Sequence, residues 1–190
     1  NCGPGFDCLG VALNLYNVFT FEPDKEATSN TYTFEGFGAD LLEQEDHSQN
    51  LVGIAMERVF KEVNAEPIFG RIHSNTQIPP SRGLGSSSSA IVAGIELANV
   101  LGNLQLTNDE KVKWATLFEG HPDNVAPAIL GGVVVATYDH HTQEVLTVHK
   151  NVEAPIAMVA VIPNVQLSTK KSRGVLPSSL AYGEAVEASS

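Results

Sequence analysis

One loop of the sequence combines glycine and serine at a spacing that could bind an anion. The stretch PPSRGLGSSSSA, residues 79–90, places Gly83, Gly85 and four consecutive serines directly before an apolar segment typical of a helix. A helix N-terminus exposes about four unpaired N–H groups, and glycines let the backbone approach a ligand closely. Serine hydroxyls can contact phosphate oxygens or a magnesium ion. The loop therefore fits a phosphate site, and it also fits a flexible turn in which one of the serines caps the helix.

Three familiar motifs do not fit this loop. The lysine-containing phosphate loop needs Gly-x-x-x-x-Gly-Lys, and no lysine follows these glycines. A dinucleotide fingerprint needs a third glycine where Ser88 stands, and a nucleophile elbow needs a glycine two residues after its serine. Any phosphate bound here must therefore be held by backbone amides and hydroxyl groups, and serine-hydrolase chemistry is disfavoured.

A second polar cluster lies in FEGHPDNVAPA, where Glu119, His121, Asp123 and Asn124 fall within six residues. Carboxylate oxygens are ligands that magnesium prefers, so the cluster suits a divalent cation together with a substrate. Zinc is poorly supported, because no second histidine or cysteine stands at ligand spacing. A capped loop with surface charges is the alternative interpretation.

Two further segments carry polar groups that could bind a small charged molecule. In NCGPGFDCLG, Asp7 could hold a cationic or hydroxyl group, or could simply hydrogen-bond its own turn. In STKKSRGVLP, residues 168–177, Arg173 could grip a carboxylate or phosphate through two hydrogen bonds, although a solvated basic turn fits as well. Cys2 and Cys8 match neither a redox pair nor a zinc knuckle, and we expect reduced thiols.

The composition is that of a globular protein, and it limits the partners. Of the 190 residues, 43% are hydrophobic and 17% charged, and no apolar run approaches the ~20 residues of a membrane span. The net charge of −11 argues against a nucleic-acid partner and is typical of a cytosolic protein. An anionic ligand must then be attracted locally, since the overall field repels it. The chain begins with Asn1 instead of Met and ends inside a helical pattern, so we expect a fragment with both ends cut.

Mixed helical and strand patterns predict a layered α+β or α/β domain that positions these polar groups. Residues 51–63 repeat apolar side chains at helical spacing. The predicted inner face of this helix consists of Leu51, Ile54, Ala55, Val59 and Val63. Thr107, with Glu110 three residues later, forms a capping-box pattern that starts another helix, which Gly120 ends.

The remaining expected elements follow from shorter patterns. They are strands at 10–22, 31–36, 68–74, 131–138, 144–150 and 156–165, a helix from the serine loop to about Leu101, and a last helix from near Pro177. We expect residues 31–36 to pair with the strand 10–22, because a polar turn joins them.

Taken in their order along the chain, these four segments resemble the GHMP small-molecule kinases, whose most distinctive motif is similar to PPSRGLGSSSSA. The stretches NCGPGFDCLGVALNLY, EGHPDNVAPAILGG and TKKSRGVLP are similar to the homoserine kinase branch of that family. The resemblance implies an α+β fold, with residues 1–150 as the N-terminal ATP-binding domain. That domain would be ribosomal protein S5 domain 2-like and contain a left-handed βαβ crossover. Residues 151–190 would begin a ferredoxin-like C-terminal substrate domain.

The resemblance also implies a phosphotransferase with ATP and Mg²⁺ as cofactors. Such an enzyme transfers the γ-phosphate of ATP to the side-chain hydroxyl of L-homoserine, giving O-phospho-L-homoserine in threonine biosynthesis. The partner is then a small molecule in the cytoplasm, without nucleic acid or membrane, and a homodimer is compatible with this activity. The alternatives are another GHMP kinase and a non-catalytic nucleotide or amino-acid sensor.

Site residues carried over from the family fall into three groups. The loop that would wrap the ATP phosphates consists of Pro79, Pro80, Ser81, Arg82, Gly83, Leu84, Gly85, Ser86, Ser87, Ser88 and Ser89, with Asn50 at the adenine. Ser87 and Glu119 would hold magnesium. The positions that match the homoserine contacts are Asn1, Asp7, His121, Asp123, Thr169 and Arg173.

Two features separate this sequence from the general family pattern. Mevalonate-kinase-like members place a proposed aspartate base where Asn124 appears here, so we expect Ser87, Glu119 and Asn124 to act without a strong general base. The family's strand before Asn1 and its third glycine-rich motif are absent from the sequence, so we expect an incomplete phosphate cradle in this fragment.

Overall fold

The computed structural model describes residues 5, 7–153, 156–159, 161–162 and 179–189, and their strands form two three-stranded sheets. The first sheet has the order β1 (Leu9–Val11), β5 (Val133–Asp139), β6 (Glu144–Lys150), and all its pairs are antiparallel. The second has the order β2 (Val18–Pro23), β4 (Gly70–Thr76), β3 (Thr31–Gly36). Here β2 runs antiparallel to β4, and β3 runs parallel to it.

Among the helices of the described residues, α2 to α5 pack against one another. They are α1 (Ala39–Leu42), a 3-10 helix (His47–Gln49), α2 (Leu51–Glu62), α3 (Ser86–Leu101), α4 (Asn108–Glu119), α5 (Val125–Leu130) and α6 (Tyr182–Ser189). The predicted α+β class is confirmed by this arrangement. The parallel strands β3 and β4 are connected through α2, so a βαβ crossover is present. The left-handed sense of this crossover stays a prediction.

The main hydrophobic core lies between α2 and α3. Met56 and Phe60 of α2 are almost fully buried together with Ile91 and Ile95 of α3. The helices approach closely because Gly94 faces α2, where a Cβ would collide with the carbonyl oxygen of Val52. This packing fixes the start of α3 relative to the rest of the domain.

The predicted helix at 51–63 exists, but its inner face was partly wrong. Leu51 is 38% exposed, and Ile54 is only partly buried. The buried residues are Val52, Gly53, Ala55, Met56, Val59 and Phe60, which follow the same helical period turned by about one residue. The buried face is set by contact with α3, and Leu51 is the first residue of α2 and lines a cavity.

The single strand predicted at 10–22 is wrong, because the chain changes sheets within it. Residues 12–17 have no strand structure, so β1 pairs with β5 in one sheet and β2 pairs with β4 in the other. The expected pairing with residues 31–36 is also wrong, since β4 lies between β2 and β3. Pairing on both edges buries the inward side chains of β4, such as Ile72 and Ser74.

Other boundary predictions have mixed outcomes. The capping box at Thr107 is confirmed in both hydrogen bonds, and Gly120 ends α4 with a positive φ of 87°. Helix α5 was not among the expected elements, and it accommodates Pro127 in its first turn, where no intrahelical N–H bond is needed.

The last part of the chain departs from two expectations. The described residues of the predicted strand 156–165 have no strand structure, and its other residues lie outside the described part. Helix α6 begins at Tyr182, later than the predicted start near Pro177, and residues 179–181 are not helical. Within the described residues, no helix has the length and apolar character needed to cross a membrane.

Candidate active site

The glycine–serine loop, residues 79–85, joins β4 to α3 and bends through left-handed backbone. Ser81, Gly83 and Gly85 have φ values of 55°, 72° and 77°. Gly85 is the N-cap of α3, and no side chain caps the helix there. The alternative in which a serine caps α3 does not hold, because the four serines already lie inside the first turn. The N–H groups at the start of α3 have no intrahelical acceptors and are oriented for an external one.

Two of the serines face the C-terminal end of α4. Ser88 is 1% exposed and its Oγ donates to Oε1 of Glu119 at 3.1 Å. Ser87 is exposed and its Oγ lies 3.4 Å from the same carboxylate oxygen. A hydroxyl and a carboxylate side by side are the oxygen donors that Mg²⁺ prefers, so the pair fits this ion chemically. The positive end of α3 also stabilises the negative charge of Glu119.

The second cluster forms a bonded dyad immediately after α4. His121 Nδ1 and Asp123 Oδ1 lie 2.5 Å apart, and Asn124 Nδ2 donates to the same oxygen at 3.2 Å. The side chains of His121 and Asp123 are 15% and 3% exposed. Asp7, in the turn before β1, has its carboxylate within 4.8 Å of the ligand atoms of both. Two distant segments of sequence thus bring three titratable groups together.

The contact between His121 and Asp123 shifts their two pKa values in opposite directions. The hydrogen bond to Asp123 is the main cause that raises the pKa of His121, and burial opposes it while the charges of Asp123, Glu119 and Asp7 assist. Burial is the largest influence on Asp123 and would raise its pKa, but the hydrogen bond and charge of His121 outweigh it, so the pKa is lowered. Both shifts favour the ion-paired form of the dyad, and further acidic groups lie beside it. Such a surface attracts an ammonium group.

One cavity of about 410 Å³ contains most of the residues that the sequence predicted. Those lining it are Asp7, Asn50, Pro80, Ser81, Arg82, Gly83, Leu84, Gly85, Ser86, Ser87, Ser88, Glu119, His121, Asp123 and Asn124. Ser89 instead lines an adjacent cavity, and Pro79 lines neither of the two. Asn1, Thr169 and Arg173 lie outside the described residues.

Asn50 and Arg82 have structural contacts that limit what they could offer a ligand. Asn50 caps α2, because its Oδ1 accepts from the N–H of Val52 at 3.0 Å. Its amide NH₂ is the group that could still donate to a base. Arg82 is the single lysine or arginine among the lining residues that the structure describes. Its Nη1 donates weakly to the carbonyl oxygens of Pro80 and Ser81, at 3.5 and 3.3 Å.

Sequence reasoning missed several residues that line this cavity. Phe19 and Phe34 reach it from β2 and β3, and Asn17 reaches it from the segment before β2. The alternating pattern of both strands indicated that Phe19 and Phe34 lie on the inner face of their sheet. It did not indicate what lies against that face. Asn17 had no signal at all, because its partners are sixty or more residues away.

Comparison with known proteins agrees with this geometry. Residues 50–132 match the family model described as "GHMP kinases N terminal domain". This part of the chain is therefore similar to the N-terminal domain of GHMP kinases. The match covers the start of α2, the glycine–serine loop and the His121–Asp123 dyad.

Several curated proteins similar to this chain are homoserine kinases. The homoserine kinase of Bacillus cereus is 43% identical over all of this chain, and that of Streptococcus thermophilus is 45% identical. A Listeria monocytogenes structure whose description reads "putative homoserine kinase" is 38% identical, with a TM-score of 0.76, over all of this chain and 60% of its own. The chain spans 59% and 62% of the length of the two curated relatives.

Proposed function

We propose that this chain is the nucleotide-binding part of a homoserine kinase, which phosphorylates L-homoserine with ATP in the threonine pathway of the cytoplasm. The observation that carries the proposal is the single cavity shared by the open start of α3, the Ser87–Glu119 pair and the Asp7–His121–Asp123 cluster. An anion site, a magnesium donor pair and an ammonium site side by side match the two substrates of this reaction. The similarity to homoserine kinases supports this choice.

The nucleotide half of the proposal assigns the glycine–serine loop to the phosphates of ATP. Backbone amides at the start of α3 and the guanidinium of Arg82 would contact phosphate oxygens. The amide NH₂ of Asn50 would donate to the adenine, since its oxygen already caps α2. Ser87 and Glu119 would hold Mg²⁺, which supplies neutralisation of the phosphate charge when bound.

The substrate half assigns the acidic cluster to the ammonium group of L-homoserine. Oδ1 of Asp123 already accepts from His121 and Asn124, so Oδ2 is the oxygen that remains for the ligand. Asp7 would add a second carboxylate. By resemblance, Asn1 would complete the site from the N-terminal domain, and Thr169 and Arg173 would do so from a C-terminal domain that begins near residue 151, with Arg173 on the substrate carboxylate.

The reaction would proceed without a strong general base. The homoserine oxygen forms the new bond to the γ-phosphorus, the bond to the bridging β–γ oxygen breaks, and the hydroxyl proton passes to a phosphoryl oxygen. Asn124 is neutral, donates to Asp123 and lies against Gly85, where a Cβ would be 3.3 Å from its Oδ1. Asn124 therefore lies between the glycine–serine loop and the acidic cluster, where it would orient the reacting groups. Positioning and charge neutralisation carry most of the rate in phosphoryl transfer.

The test is a substrate panel with the full-length protein. ADP release is measured with L-homoserine, mevalonate and galactose, and the phosphorylated product is identified by mass spectrometry. We expect turnover with L-homoserine alone. Turnover with another alcohol would assign a different GHMP kinase activity, and calorimetric ATP binding without any product would identify a non-catalytic sensor.

A further inference from the structure

A single amide side chain is bonded to both ends of the glycine–serine loop. Oδ1 of Asn17 accepts from the backbone N–H groups of Gln77 and Ile78, each at 2.9 Å. Its Nδ2 donates to Oγ of Ser89 at 2.8 Å. Gln77 and Ile78 precede the loop, and Ser89 follows it within the first turn of α3. One residue therefore spans the entrance and the exit of the loop.

The loop has little else to define its shape. Its left-handed positions include Ser81, a residue type that avoids this backbone region. The side-chain hydrogen bonds that we observe inside residues 79–85 are the two long ones from Arg82. A backbone of this kind must be held by its surroundings, and the restraints lie at its ends.

The hydrogen bonds of Asn17 continue toward the start of α3. Ser89 Oγ, which accepts from Asn17, donates onward to the carbonyl oxygen of Ser86 at 2.7 Å. Ser86 is the first residue of α3, directly after Gly85. The chain of bonds thus runs from Asn17 to the position where the free amides begin.

We propose that Asn17 is a positioning residue of the phosphate-binding loop. It fixes the separation of the two loop ends and thereby the direction in which the amides of residues 83–86 point. The inference rests on the proposed function, because it takes ATP phosphate to be the ligand of these amides. It concerns a residue outside the glycine–serine stretch, in the segment that carries the chain from the first sheet to the second.

The chemistry of the amide explains why asparagine fits this position. Its carbonyl oxygen has two lone pairs for the two backbone N–H groups, and its NH₂ supplies the donor for Ser89. Leucine would remove all three bonds and leave the N–H of Ile78, a residue that is 6% exposed, without this acceptor. Aspartate would keep the acceptor but add a negative charge beside an anion site.

The experiment compares Asn17→Leu and Asn17→Asp with the control Asn14→Leu in the full-length protein. Asn14 is an exposed asparagine in the same segment. The readouts are the Kd of MgATP by calorimetry, the two KM values, kcat, and hydrogen exchange of the amides of residues 81–89 without nucleotide. For Asn17→Leu we expect about tenfold weaker ATP binding, faster exchange in the loop and an unchanged homoserine KM. For Asn14→Leu we expect no change.

The aspartate variant and a double variant separate positioning from general stability. Asn17→Asp should bind ATP more weakly than wild type, and the deficit should shrink in high salt. Asn17→Leu combined with Ser89→Ala should lose less ATP affinity than the sum of the single losses, because the two residues share one bond. A lowered Tm in Asn17→Leu with ATP affinity within about twofold of wild type would overturn the inference.

A failure of the inference about Asn17 is distinguishable from a failure of the proposed function. A wild-type protein that binds no ATP would reject the kinase proposal. The exchange comparison would then still decide the role of Asn17 in loop geometry: equal exchange of residues 81–89 in Asn17→Leu and Asn14→Leu contradicts it, and faster exchange in the former alone supports it.

Discussion

Helices α3 and α4 begin in opposite ways. At α4, Thr107 Oγ1 accepts from the N–H of Glu110 at 3.3 Å, and the Glu110 carboxylate accepts from the N–H of Thr107 at 2.8 Å. At α3, left-handed Gly85 is the N-cap, and no side chain closes the helix. The first start is closed by residues three apart in sequence, whereas the second is left open toward a cavity.

The closed start of α4 stabilises its own helix, whereas the open start of α3 is available to bind a ligand. A capping box satisfies the exposed N–H groups with local side chains, so α4 needs nothing else at its start. An open helix start gives up that local stabilisation and keeps its amides for a ligand. The other end of α4 completes the open start of α3, because Glu119 is its last residue and contacts Ser87 and Ser88.

The largest expected effect on kcat comes from Glu119 at the C-terminal end of α4, in contrast to Glu110 in its first turn. Glu119→Gln keeps the side-chain shape but removes the charge beside Ser87, so we expect kcat to fall about a hundredfold or more. Glu110→Gln in the capping box is the matched control and should leave kcat unchanged. Steady-state kinetics of the two full-length variants tests this. Similar kcat values for both variants would contradict a magnesium role for Glu119.

The next effect tests the space beside the open start. Gly83 and Gly85 both have left-handed backbone, so alanine at either should lower the unfolding free energy by about 1 kcal/mol. A Cβ at Gly85 would also lie 3.3 Å from Oδ1 of Asn124, whereas at Gly83 it would meet nothing within 4 Å. We therefore expect Gly85→Ala to lower kcat about tenfold more than Gly83→Ala. Equal losses of kcat would exclude a role for the Gly85–Asn124 contact.

A pH series should separate the dyad from the capping box. The pKa of His121 is raised by folding, so its contribution to stability is complete below its unfolded pKa of about 6.5 and is lost as the pH rises through the folded value. The pKa of Glu110 is lowered by its hydrogen bonds to Thr107, so its contribution is present above about 4.3 and is lost in acid.

Denaturant unfolding of two variants measures these contributions. The destabilisation by His121→Gln should be larger at pH 6 than at pH 9, while that by Glu110→Gln should shrink only as the pH falls below 4. A His121→Gln effect that grows toward pH 9 would mean that the histidine is neutral in the fold.

The smallest expected effect on activity comes from the closed helix start. Thr107→Ala removes both hydrogen bonds between Thr107 Oγ1 and Glu110 and leaves the backbone N–H of residue 107 as a donor to the Glu110 carboxylate, so the unfolding free energy should fall by about 1 kcal/mol. The ATP KM should stay at the wild-type value, because α4 begins far along the chain from the loop and is closed by its own residues. An altered ATP KM would show that the two helix starts are coupled.

The accuracy of each prediction from the sequence depended on how far apart in the chain the interacting residues lie. The capping box, the end of α4 at Gly120 and the existence of α2 were predictable, because their determinants lie within a few residues. The division of residues 10–22 between two sheets was not, since it depends on β5 and β4, which follow much later. The buried face of α2 was off by about one residue for the same reason: α3 decides it.

The candidate site shows the same limit. Residue types and spacing alone selected the glycine–serine loop, Glu119 and the His121–Asp123 dyad, because each group needs close neighbours in sequence. The sequence also predicted the α+β class and the similarity to GHMP kinases. Only the tertiary structure brought Asp7 beside the dyad and Ser88 against Glu119, and only it revealed Asn17 between the ends of the loop. Local backbone preferences are encoded by adjacent residues, whereas a hydrogen bond between residues 17 and 89 exists only once the strands and helices have packed.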